Sequence, residues 1–329
     1  MSTDAQPLFL LGAGFNFDAK AESGALDSVA YPLAGDLARI CFGLSSLPEG
    51  RSIEDLFHEV QEREDTEPIR RLADSLMKAD YALLDRLLPY FGAERNCYSK
   101  FFERFAGSQY LTFNYDSLPE LFLLHQGQWF PHDGYGMPVE VEIRLTEDDI
   151  QIRESPSLVL HLHGSLCIYT SPYTVERTLG ESVALLSRRE KPKFLFEPEK
   201  IGQLFFPFEG SPLNQDWEPP EIRVIAPAPD KTQGLKKGFI SEVYARAEEL
   251  LRSSTLPLVA IGYSFNPHDR ASYDRLLTAL ESGSASVLLI SPDAGRIRRR
   301  ISLEFPGVNF ESFEHTLKSW VETGFPGLQ

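Results

Sequence analysis

The sequence predicts an α/β protein built on a largely parallel sheet, and three observations carry that expectation. Short apolar runs recur at residues 8–11, 110–113, 158–162, 256–261 and 287–290. Stretches of helical period lie between them, which is the alternation expected of βαβ units. Each apolar run also breaks at a small polar or glycine-containing cluster, as strands do when they feed a loop.

In chain order, Leu8-Phe9-Leu10-Leu11 reads as a buried strand ending in the turn Gly12-Ala13-Gly14. Residues 16–30 are small and polar and read as a loop. Pro32 then stands at a helix start, with Leu33, Leu37 and Ile40 at helical spacing. From Ser52 to about Phe105 the pattern is wholly helical, opening on the capping sequence Ser52-Ile53-Glu54-Asp55. Leu56, Phe57 and Val60 share one face there, and Leu84 and Leu88 continue the apolar theme. This span is expected to be a helical insertion packed beside the sheet.

A second strand, Tyr110-Leu111-Thr112-Phe113, ends at Asn114-Tyr115-Asp116 and leads into a helix over 117–125. A third, residues 158–162, ends at His163-Gly164-Ser165. The interval 129–153 leaves room for a β excursion. The proline- and aromatic-rich residues 170–220 form an irregular insertion that the pattern does not place. Beyond it come a strand at 223–226, a helix at 240–251, a strand at 256–261 and a helix at 269–280. The last strand, 287–290, closes on Ser291-Pro292-Asp293. The expectation is one Rossmann-like domain over residues 1–329, with helices on both faces of the sheet and the two insertions named.

Bulk properties narrow the function classes. With 42% hydrophobic and 24% charged residues, the chain can bury an ordinary core. Its formal net charge of -16 opposes phosphate backbones and anionic membranes, so direct nucleic-acid binding is not expected. One basic cluster, Arg296 with Arg298, Arg299 and Arg300, reads either as a solvated helix face or as an anion or partner contact. Cys41, Cys97 and Cys167 are scattered, which fits a reducing cytoplasm and neither a disulfide framework nor a cysteine zinc module. A signal sequence and a membrane-length apolar run are both missing from the pattern, so a cytoplasmic protein is expected.

In parallel α/β sheets, ligands gather at the carboxyl ends of the strands. Gly12 to Asn16, Thr112 to Asp116, His163 to Ser165 and Gly262 to Ser264 would all lie along that one edge. Taken singly, each has a plain structural reading. The glycine turn lacks the full G-x-G-x-x-G spacing, so no dehydrogenase fingerprint is present. Asn114 and Asp116 serve equally well as helix caps, and His163 as a core or turn histidine. His161 would share a strand face with His163, but no carboxylate motif joins them into a metal site.

Together, Leu10-Leu11-Gly12-Ala13-Gly14, Thr112-Phe113-Asn114-Tyr115-Asp116, Leu162-His163-Gly164-Ser165 and Ile261-Gly262-Tyr263-Ser264 resemble the bacterial sirtuin-like domain family. Tyr31-Pro32-Leu33 and the stretch from Ala226 to Lys231 fit the same pattern, so the resemblance runs from about Leu8 to Phe310. It implies an NAD pocket, with NAD consumed as substrate and no metal. Gly12, Ala13 and Gly14 would cradle the pyrophosphate, with Phe15 and Asn16 completing that turn. Asn114 would stand beside the nicotinamide ribose and the attacking water. His163, followed by Gly164, would bond a ribose hydroxyl or act as general base, and Asp116 would hold the site together. Gly262, Ser264 and Ser291 would meet the adenosine half.

Two departures matter. The four-cysteine zinc module of protein-deacetylating sirtuins is missing, since only Cys167 falls in that interval. Asn16 stands where many relatives carry serine. The resemblance therefore implies an NAD glycohydrolase of the kind found among antiviral defence effectors. Deacylation, ADP-ribosyl transfer and non-catalytic NAD or ADP-ribose sensing are the alternatives. An activating partner protein and self-association through the helical insertion are further expectations of this reading.

Overall fold

The computed structural model describes residues 6–18, 34–63, 67–69, 71–72, 75–76, 96–137, 140–143, 154–170, 174–178, 181–187, 192–196, 221–224, 235, 238–283 and 286–328. Its centre is a six-stranded, all-parallel sheet formed by β1 (Leu8–Leu11), β2 (Gln109–Thr112), β4 (Leu158–His161), β10 (Leu258–Ile261), β11 (Val287–Ile290) and β12 (Phe310–Phe313). The spatial order is β12-β11-β10-β1-β2-β4. Counted in chain order within this sheet, that is the doubly wound order of a Rossmann-like fold, with its switch point between β1 and β10.

Composition explains these positions. β1, β10 and β11 are apolar and fully buried throughout, as strands covered on both faces must be. β12 (Phe-Glu-Ser-Phe) is half polar and takes the edge, where only one side is paired. It was not legible as a strand, because it has no apolar run.

Pairing puts Phe9, Tyr110, Val159, Val259 and Leu288 on one face of the sheet and Leu10, Leu111, Leu160, Ala260 and Leu289 on the other. The first face meets α3 (Cys97–Arg104) and α8 (Leu317–Glu322) through an aromatic cluster. The Phe9 ring lies 5.0 Å from Phe101 and 5.3 Å from Tyr110, and Phe101 reaches Trp320 at 6.5 Å. On the other face, α5 (Gly238–Ser253) packs on β4 and α6 (Arg270–Glu281) packs on α5. Helices α1 (Ala34–Phe42), α2 (Ile53–Glu62), α4 (Leu118–His125) and α7 (Ala294–Glu304) complete the elements used below.

Within the expected helical insertion, α2 and α3 are helical, and Leu56 and Phe57 are buried. Leu84 and Leu88 lie outside the described residues. Strands occupy both the interval 129–153, where a β excursion was expected, and the interval 170–220 that the pattern does not place. β3 (Glu140–Ile143), β5 (Gly164–Thr170), β8 (Pro192–Phe196) and β9 (Glu221–Val224) make a second sheet in the order β3-β8-β5-β9. β6 (Thr174–Thr178) and β7 (Glu181–Ser187) pair with each other. The strand expected near 223 is therefore antiparallel to β5 and no member of the central sheet. Gly164, at φ +84°, is where the chain leaves β4 and turns into β5. That left-handed conformation favours glycine.

Candidate functional site

All six central strands run the same way, so the ends of β1, β2, β4, β10 and β11 share one edge. The residues singled out by sequence all lie there. The structure sorts them into two groups: a cavity at the switch point, and a buried polar network beside it.

The cavity has a volume of about 390 Å³ and is lined by Gly14, Gly262, Ser264 and Ser291, four of the expected residues. Its size falls within the roughly 300–1,000 Å³ of small-molecule pockets. Phe17 stands at its rim, 62% exposed. His315, Thr316 and Leu317 form a further wall. That wall is tied to the glycine turn, because buried Asp18 accepts a bond from the Lys318 amide at 2.7 Å.

The charged lining consists of Arg296, Arg300 and Asp293, with His315 beside them. Cations thus outnumber anions here in a chain whose net charge is -16. Arg296 and Arg300 are four apart on α7 and share the cavity side, whereas Arg298 and Arg299 are exposed and outside the lining. Arg300 also donates to the carbonyls of Ser264 and Phe265. That holds Phe265 in a left-handed conformation, φ +51°, which a non-glycine residue seldom adopts.

The glycine turn is built differently from the expected cradle. Its amides point back into the protein: Gly12 donates to Ile261, Gly14 to Gly262 and Phe15 to Gly12, at 2.8–3.0 Å. The glycines are needed because a Cβ on Gly12 would stand 2.6 Å from the Tyr263 backbone, and one on Gly14 2.9 Å from Gly262. Their role is close approach of two strand-end turns. Ala13 and Gly14 remain exposed, but the Phe15 ring is wholly buried against Tyr98, Phe101 and Phe102. The Tyr98 hydroxyl donates to the Phe15 carbonyl at 2.7 Å, pinning the turn.

Asn114 lies two residues past β2 and is half-buried. Its side-chain amide donates to the Gly12 carbonyl at 3.1 Å and to Asn16 Oδ1 at 3.4 Å. Asn16 in turn donates to Asp116 Oδ2 at 2.6 Å, and Asp116 Oδ1 accepts the Leu118 amide at 3.1 Å. Asp116 thus closes a local turn onto Leu118, the first residue of α4, and anchors Asn16. Burial pushes its carboxyl up to about 6, against the lowering effect of the Asn16 and Leu118 hydrogen bonds.

His163, two residues past β4, is 4% exposed. Its Nε2 sits 3.1 Å from Ser272 Oγ on α6, and its ring packs edge-on against Phe113 at 4.7 Å. His163 and Asn114 share the strand-end edge with Gly12 and Gly14, but neither lines the cavity.

His161 engages different partners. Its Nδ1 is 2.9 Å from the Asn114 carbonyl and its Nε2 is 2.5 Å from Glu120 Oε1, both side chains being fully buried. Burial alone would lower the imidazole's proton affinity. The Glu120 carboxylate and the Asn114 carbonyl outweigh it and hold His161 above its ordinary value. Among the described residues, no three His, Cys, Asp or Glu side chains come together as a metal site. No helix among them is long and apolar enough to cross a membrane.

Sequence reasoning missed Glu120, Ser272, Asp18 and the sorting of the arginines. Glu120 alone left a trace, as the one acid within the apolar helix Leu-Pro-Glu-Leu-Phe-Leu-Leu-His. Compared with known proteins, the chain matches no family model, and no curated protein shows a significant match to it.

Proposed function

We propose that this protein binds NAD in the switch-point cavity and hydrolyses its nicotinamide–ribose bond. The observation that carries the reading is the cavity itself. It is a pocket beside the switch point of a doubly wound sheet, over the ends of β1, β10 and β11 and walled by α7 and residues 315–317, with a net cationic lining in a strongly acidic chain. Ligands of such sheets bind at that position, and a cationic wall favours a phosphate-bearing ligand.

The chemistry asks little of a protein. Water attacks the anomeric carbon as the bond to nicotinamide breaks; nicotinamide leaves neutral, ADP-ribose forms and one proton is released. The ribose passes through an oxocarbenium-like state, as in other glycosyl transfers. The leaving group is already cationic, so no acid need protonate it. Asn114, the accessible member of its network, orients the water and the ribose through its side-chain amide. His163 bonds a ribose hydroxyl or takes the water's proton. Neither residue lines the cavity, so both roles depend on the nicotinamide end of NAD reaching from it to the ends of β2 and β4. Positioning is the main catalytic term.

The test is to incubate purified full-length chain with NAD and measure free nicotinamide, with and without acetylated peptide. Release without peptide supports hydrolysis. Release only with peptide would move the reading to deacylation, and binding without release to NAD sensing. The defence role rests on the sirtuin-like resemblance alone.

A further inference from the structure

Glu120 and His161 form a buried pair that neither the cavity nor the proposed chemistry uses. The Asn114 carbonyl can only accept, so His161 Nδ1 must carry a proton. A neutral ring would then present a lone pair at Nε2 to a carboxylate oxygen 2.5 Å away, which is repulsive. A second proton must lie between them. Among the described residues, Tyr135, whose ring centre is 5.9 Å from His161, and Asp116 also face the imidazole. Glu120 Oε2 is buried and has no hydrogen-bond partner among the described residues.

A fully buried pair with an orphaned oxygen is a poor device for stability, because desolvation offsets most of the attraction. It does fix geometry. The imidazole holds the carbonyl of Asn114, while Gly12 and Asn16 hold the side chain of the same residue, Asn16 being anchored in turn by Asp116. Of these groups only Asn114 is half-exposed; Asn16, Asp116, His161 and Glu120 are all buried.

We propose that His161 and Glu120 are positioning residues, an imidazolium–carboxylate pair that sets the aim of Asn114 by gripping its backbone carbonyl. The functional consequence rests on the reading of Asn114 as the group that meets substrate; the protonation state does not.

The first measurement is ¹⁵N NMR of histidine-labelled full-length protein at pH 7. Both ring nitrogens of His161 should be protonated, and Glu120→Gln should return one to the unprotonated range. A neutral His161 in the wild type overturns the proposal, whether or not NAD is cleaved. The second compares two double variants. His161→Asn with Glu120→Gln keeps an amide donor near the Nδ1 position and leaves no charge unpaired. His161→Leu with Glu120→Leu removes the donor and packs the space with apolar groups. For nicotinamide release, the first should keep kcat within about three-fold, and the second should lose at least about 30-fold in kcat with KM little changed. A folded Leu/Leu variant with full kcat sinks the proposal, as does a folded Asn/Gln variant that loses kcat as severely. Should the wild type release no nicotinamide, the proposed function fails separately. The comparison is then read from the Asn114 side-chain amide resonances, which should stay dispersed in Asn/Gln and average in Leu/Leu. Unchanged Asn114 resonances in Leu/Leu would overturn the positioning role.

Discussion

The amide of Gly14 donates to the carbonyl of Gly262 at 3.0 Å, joining the turn after β1 to the turn after β10 at the switch point of the sheet. A Cβ on Gly262 would stand 2.3 Å from the Gly14 carbonyl carbon and the Phe15 nitrogen, and its φ is +63°. Gly262→Ala therefore meets backbone that cannot swing away. It should lower unfolding free energy by more than about 2 kcal/mol, measured by urea titration. Gly127→Ala shares the positive φ but has nothing within 4 Å, so it should cost only about 1 kcal/mol. Equal losses at the two sites would show that packing of the turns is not the cause.

Asn114→Ala deletes the donor to Gly12 and Asn16 without opening a core cavity, since the residue is half-exposed. The stability loss should stay near 1–2 kcal/mol. Nicotinamide release should fall at least about 100-fold in kcat, as for a group acting mainly in the transition state. A folded Asn114→Ala protein with normal turnover would remove Asn114 from the mechanism.

Arg296 is 76% exposed and pairs only at the surface with Asp293, so Arg296→Ala should leave the melting temperature unchanged. If the cationic wall attracts a phosphate-bearing ligand, KM for NAD should rise several-fold, by about 3–10, and the difference should shrink with added salt. Isothermal titration with ADP-ribose at two ionic strengths checks this without turnover.

Ser272 is the hydroxyl partner of His163, on a helix far along the chain. Ser272→Ala should cost about 1 kcal/mol of stability. By loosening the imidazole it should reduce kcat about ten-fold with little change in KM. A parallel fall in stability and activity, with kcat per folded molecule unchanged, would assign Ser272 a structural role only.

Asp116 and His161 both bind protons more tightly in the folded protein than in the unfolded chain. The native state then carries more protons, and the contribution of each group to stability falls as pH rises. For Asp116 the fall spans the interval from its ordinary 3.8 up to about 6. For His161 it begins above its ordinary 6.5. Asp116→Asn should flatten the dependence of unfolding free energy on pH between about 4 and 6, and reduce the His161 limb slightly, since the Asp116 charge helps to hold that imidazole up. A wild-type-like slope in that variant would show that the carboxyl titrates as an ordinary surface acid.

The central strands were legible where they are buried on both faces. Leu8-Phe9-Leu10-Leu11 and Val287-Leu288-Leu289-Ile290 are apolar runs that no exposed segment needs. The polar residues ending them were legible as well, because a parallel sheet sends all its strand ends to one edge. The edge strand β12 was hidden by Glu311 and Ser312, and residues 170–220 by a composition with no clear period.

The fold class, the strand ends and the candidate residues Gly14, Asn114, His163, Gly262, Ser264 and Ser291 were thus legible before folding, because periodicity and strand-end chemistry are local. Tertiary structure alone decided the rest. It set β10 beside β1, turned the Gly12 and Gly14 amides inward, gave Arg296 and Arg300 to the cavity, and brought Glu120 to His161 and Ser272 to His163. Those pairings join residues up to hundreds of positions apart, and their energies arise from desolvation and hydrogen bonding between surfaces that meet only when the chain closes.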